Sequence, residues 1–124
     1  MLLGFGLCCS SLADTINVPT DVPNIQSALI LANPGDKVSM AAGIYFVTDL
    51  NAAGKAIVIS GAVDAQGNPA VTLDANQGGR VLLAISGEGA DTVFENLIVK
   101  LGTAAEGAGM LISGSSPTLR NCHF

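Results

Sequence analysis

Phe94-Glu95-Asn96-Leu97-Ile98-Val99 and Leu119-Arg120-Asn121-Cys122-His123-Phe124 lie 25 residues apart and match position by position. Apolar residues meet at Phe94/Leu119, Leu97/Cys122 and Val99/Phe124, and Asn96 meets Asn121. A second repeat runs beside the first. Ile-Ser-Gly occurs at 59–61, 85–87 and 112–114, at spacings of 26 and 27 residues. The two registers differ by two residues because the turn 87–91 is longer than the turn 114–116. Stacked repeats tolerate length variation confined to Gly- and Ser-rich turns.

The residues around these repeats alternate with period two. Val38 and Met40 flank Ser39, Ile57 and Ile59 flank Val58, and Val71 and Leu73 flank Thr72. Val81, Leu83 and Ile85 are also spaced by two. Turn clusters at 42–43, 64–69, 77–79 and 87–91 separate the runs. Short strands between such clusters, with no long helix inside the repeat, predict an all-β fold. Its expected form is a right-handed, single-stranded parallel β-helix, a solenoid of about 25–27 residues per rung. Inward Val, Ile and Leu would stack from rung to rung, with Cys122 above Leu97. The amides of Asn96 and Asn121 would bond to each other and to the turn backbone, which satisfies groups costly to bury unpaired. Ala75 is expected at the position matching Asn96 one unit earlier.

Residues 24–33 change period. Ile25, Ala28, Leu29 and Ala32 fall on one helical face, with Asn24 as N-cap and Pro34-Gly35 as the stop. A helix this short needs a surface to lie on, and the exposed end of the first rung supplies one.

Composition agrees with a strand-rich core. Hydrophobic residues make up 49% of the 124 residues and charged ones 12%, so disorder is disfavoured. Aromatic residues are scarce, which leaves the core to Val, Ile, Leu and Ala. A net charge of −5 argues against nucleic acid or an anionic membrane surface as a partner.

Residues 1–13 read as a secretory signal peptide. A short uncharged apolar run ends in Ser11-Leu12-Ala13, placing cleavage before Asp14. The run is too short to span a bilayer. No Lys or Arg precedes it, and a buried first strand is the alternative reading. Cleavage leaves Cys122 as the single cysteine, with no disulfide framework and no Cys/His metal spacing. The domain is then 14–124: an N-terminal cap and first rungs, expected to be truncated because Phe124 falls in mid-strand. Continuing rungs of a longer chain are the first expected partner.

Several segments resemble the N-terminal entry of the pectin-lyase-like parallel β-helix superfamily. They are Ile16-Asn17-Val18-Pro19, Val22-Pro23-Asn24-Ile25-Gln26-Ser27-Ala28, Pro34-Gly35-Asp36-Lys37-Val38 and Ala42-Gly43-Ile44-Tyr45. The segments 92–97 and 115–122 resemble rungs of bacterial right-handed β-helix repeat proteins. The resemblance covers about residues 14–124 and implies a fold more than an activity. The superfamily holds lyases, hydrolases, esterases, tailspikes and surface proteins without known catalysis.

No catalytic constellation emerges from the sequence. Asp64, Asp74 and Asp91 fall in three different turns, with no Asp pair. Arg80, Lys100 and Arg120 stand without an acidic cluster. An isolated charge of this kind is ordinarily solvated surface. His123 is the one histidine and is expected on the solvent side. Tyr45 is expected to pack in the entry turn. The loop 102–109, with Glu106, could border a glycan groove. The expectation is therefore no catalytic, metal or cofactor site in this segment, and a secreted or surface scaffold associated with polysaccharide or cell-surface glycan. The alternative is the N-terminal part of a polysaccharide lyase, hydrolase or esterase with its site further along the chain.

Overall fold

The computed structural model describes residues 14–76, 78–100 and 109–124. The leader reading of 1–13 and the loop residues 102–108, with Glu106, lie outside the described residues. The described residues form an all-β protein of parallel sheets with one short helix. The strands are β1 (Thr15–Val18), β2 (Lys37–Met40), β3 (Gly43–Phe46), β4 (Leu50–Asn51), β5 (Val58–Gly61), β6 (Val71–Asp74), β7 (Leu82–Ala84), β8 (Val93–Glu95), β9 (Leu97–Lys100), β10 (Met110–Ile112) and β11 (Thr118–Arg120). The helix α1 spans Ile25–Leu31.

Three sheets account for all the strands among the described residues. The first has the order β1-β2-β5-β8-β11, the second β3-β6-β9 and the third β4-β7-β10. From β2 onward the chain visits first, second and third sheet in strict rotation, and every strand pairs parallel with the one a full circuit away. Period-two alternation in the strands turns one set of side chains inward. Val38, Ile59 and Phe94 form one buried column and Leu73 and Val99 another. Leu50 and Leu82 stack in the third sheet. The core is aliphatic, with Phe94 as its largest fully buried side chain.

The 25-residue match is a true structural register. Leu119 pairs with Phe94 and Arg120 with Glu95, and His123 bridges Ile98. The Ile-Ser-Gly register is not. Ile59 lies inside β5 and pairs with Phe94, whereas Ile85 and Ile112 sit at the ends of strands in the third sheet. Ile112 pairs with Ala84 rather than Ile85. The same tripeptide serves two ends. In β5 it is a buried strand terminus, and at the ends of β7 and β10 it is exposed and runs into a turn.

Circuit length also departs from 25–27. Lys37 pairs with Val58 and Val58 with Val93, steps of 21 and 35, before the step of 25 from Val93 to Thr118. Part of the long step is an excursion at 62–69, closed by an antiparallel bridge between Val63 and Pro69. Asp64 holds its tip by accepting from the amides of Gln66 and Asn68.

The helix forms as expected at its start and ends earlier than Asn33. Asn24 caps it by accepting from the Ser27 amide at 2.9 Å, and Ile25, Ala28 and Leu29 are buried. It packs against β4, β1 and β2, the N-terminal edge of two of the sheets. Its last turn has no basic residue of its own. Instead the Lys55 ammonium donates to the carbonyls of Leu29, Ile30 and Ala32 at 2.8–3.0 Å, which satisfies carbonyls that a helix end otherwise leaves open.

Candidate functional site

Two polar ladders run along the corners where the chain passes between sheets. The first lies where β8 turns into β9. Asn96 and Asn121 each form a one-residue corner at positive φ, 59° and 50°, a conformation Asn tolerates better than most residues. The Asn121 amide nitrogen donates to the Asn96 side-chain oxygen at 2.9 Å and to the Gly67 carbonyl at 3.0 Å. The partner one circuit earlier is Gly61, not Ala75, because Ser60 pairs with Glu95. A Cβ at Gly61 would press on the Asn96 carbonyl oxygen and lie 2.9 Å from the Val71 Cβ. Close approach therefore requires glycine there, and the ladder starts at Asn96.

The second ladder lies between the third sheet and the first. Asp36 is buried and accepts from the amides of Asn33 at 2.8 Å and Asp14 at 3.0 Å. The Asp14 and Asn33 amides hold its carboxyl below the ordinary aspartate range, with Lys55 adding in the same direction against a smaller cost of burial. Two turns further along the stack, Glu88 is 1% exposed. Its carboxylate accepts from Gly54 at 2.9 Å, Ser86 at 2.9 Å and the Ser115 hydroxyl at 3.0 Å. Burial pushes its pKa up, but the amides of Gly54, Ser86 and Glu88 itself and the Ser115 hydroxyl outweigh that and leave it lowered. Thr92 donates from its hydroxyl to the Lys55 carbonyl at 2.8 Å, tying the same turns together.

The candidates named from sequence are dispersed. Asp64 serves its own turn, Asp74 accepts from the Asn76 amide at 2.7 Å, and Asp91 is an exposed turn residue. Asp74 and Lys100 share a register position on neighbouring strands. Arg120 reaches Glu95 at 3.6 Å, and Glu95 also accepts from the Ser60 hydroxyl. Arg80 is half-buried and its carbonyl accepts from the Asp49 amide. His123 is exposed, as expected. The Tyr45 hydroxyl donates to the Ala41 carbonyl at 2.6 Å and so serves packing. Burial pushes the Cys122 thiol up, which makes it a poor nucleophile at neutral pH. Among the described residues no group of three or more His, Cys, Asp or Glu side chains could hold a metal ion, and no helix is long and apolar enough to cross a membrane.

A recess of about 620 Å³ opens at the C-terminal end, walled by Val99, Met110, Ile112, Leu119 and Phe124 with Lys100 on its rim. It is apolar and offers no acid–base pair. Sequence reading passed over Glu88, Asp36 and Lys55. Each is a charge beside a Gly-containing turn, a pattern indistinguishable in one dimension from a solvated loop. Comparison with family models, with curated proteins and with solved structures returns no match.

Proposed function

We propose that residues 14–124 are the N-terminal cap and first coils of a right-handed, single-stranded parallel β-helix serving as an extracellular scaffold, at a surface or against polysaccharide. The observation that carries this reading is the strict rotation of the chain through three parallel sheets. Right-handedness follows from the strong preference of parallel crossover connections for that hand. The use of the charged residues also supports a scaffold. Asp36, Lys55, Asp64, Asp74 and Glu88 are all engaged by backbone groups. Secretion rests on the leader-like residues 1–13.

Expression of the full 124-residue chain in a secreting host tests both parts. The mature polypeptide is expected outside the cell with Asp14 at its N-terminus, and without turnover of pectin or related uronic-acid polymers above a blank. Retention in the cytoplasm with Met1 intact would remove the extracellular reading. Turnover would move the chain to the polysaccharide-degrading enzymes.

A further inference from the structure

We propose that Glu88 is an acid-sensitive latch: ionised, it ties three successive turns of the chain into one corner, and protonated, it lets them part. The carboxylate reaches back 34 residues to the Gly54 amide and forward 27 residues to the Ser115 hydroxyl, while binding Ser86 in its own turn. Two further contacts keep those turns in place only while they are close. The Ser116 amide donates to the Glu88 carbonyl at 2.7 Å, and the Gly87 amide donates to the Ser115 hydroxyl oxygen at 3.0 Å. The turn 52–56 is pressed so near that a Cβ on Gly54 would lie 2.7 Å from the Ser86 carbonyl oxygen.

The Gly54 and Ser86 amides can only donate, and the Ser115 hydroxyl donates to the carboxylate as well. An ionised carboxylate accepts all three as charge-assisted bonds, whereas a carboxylic acid loses that charge and turns one oxygen into a donor, which the Ser115 hydroxyl meets only by turning its own proton to the Ser113 carbonyl at 3.3 Å. A proton taken from solvent therefore weakens the bonds from both amides in a site with 1% exposure, where a poorly paired polar group is costly. Among the described residues the charged groups in the turns around it are few. Lys55 in the turn 52–56 commits its ammonium to the carbonyls of α1, Asp91 in Glu88's own turn is exposed, and the turn 113–116 carries no titratable side chain. The sign is that of a carboxylate with a lowered pKa. The latch holds fully above the ordinary glutamate range and opens as pH falls through Glu88's own lower value.

Amide exchange and carboxyl carbon shifts of the full chain, followed by NMR against pH, test this. Protection factors at Gly54 and Ser86 are expected to fall at least tenfold through the Glu88 carboxyl transition, while Ile59 and Leu73 in the sheets stay protected. Glu88→Gln is expected to show the low corner protection already at neutral pH, with no acid step. Ser115→Ala, which removes one donor to the ionised form, is expected to move the midpoint upward, and Asp91→Asn to leave it unchanged. The latch is overturned if Glu88 titrates with both corner amides still protected, or if sheet and corner amides lose protection together. It is equally overturned if Glu88→Gln keeps wild-type protection or Ser115→Ala leaves the midpoint in place.

Discussion

Single residues at the corners decide how closely successive circuits approach. Asn121 combines a left-handed backbone with a side chain that donates twice. Asn121→Ala removes both bonds and places a Cβ-bearing residue with no local hydrogen bond at φ 50°, so a loss of about 2 kcal/mol is expected in urea unfolding. Asn121→Gly loses the bonds but keeps the backbone at ease, and is expected to be the milder change. The reverse order of the two variants would show that the left-handed conformation is not what makes the alanine costly. Gly61 is stricter, because backbone of the next circuit lies against it. Gly61→Ala is expected to cost roughly 3 kcal/mol or more, read as a fall in the urea midpoint. Asp36 sets a pH dependence. Its carboxyl is lowered, so its contribution is full above the ordinary aspartate range and is lost as pH falls through its own value. Melting temperatures of wild type and Asp36→Asn are expected to differ at neutral pH and to converge in acid.

At the scale of elements, α1 owes its place to burial and to a borrowed cap. Seven residues cannot hold a helix in water. Ile25, Ala28 and Leu29 bury its inner face on β4, β1 and β2, and Lys55 closes its C-terminal end from another turn. Leu29→Asp would bury an unpaired charge and is expected to cost several kcal/mol, roughly 3 or more, by urea unfolding. Lys55→Met keeps the aliphatic stem and leaves three carbonyls without their charged donor, so about 1–2 kcal/mol is expected, with helical signal lost ahead of strand signal on heating. Simultaneous loss of both signals would mean that the cap does not depend on Lys55.

For the whole molecule, the two ends of the stack differ. The N-terminal edges β1 and β4 lie against α1. At the other end β10 and β11 are outermost in their sheets, and Ile112, Leu119 and Phe124 are 45%, 38% and 63% exposed around the recess. Strand edges with apolar neighbours template further strands. A polypeptide of these 124 residues is expected to self-associate at tens of micromolar, on the order at which such edges aggregate. Sedimentation equilibrium reads this directly, and a stable monomer at that concentration would contradict it.

Strand periodicity, the capping helix and the 25-residue register were legible because each rests on local spacing. A period of two turns alternate side chains inward wherever the strand lies, and Phe94, Leu97 and Val99 meet Leu119, Cys122 and Phe124 because the connection between them has matched length. The Ile-Ser-Gly spacing misled because a tripeptide reads alike in a buried strand end and an exposed turn, and only sheet membership separates them. The charged ladder was invisible for a related reason. Asp36, Lys55 and Glu88 find their partners across 14–36, 29–55 and 54–115, and the distance along the chain to a donor says nothing about which donor a turn will meet. Local pattern determines which residues face inward. Stacking alone decides which turn lies on which, and with it where a buried charge is satisfied.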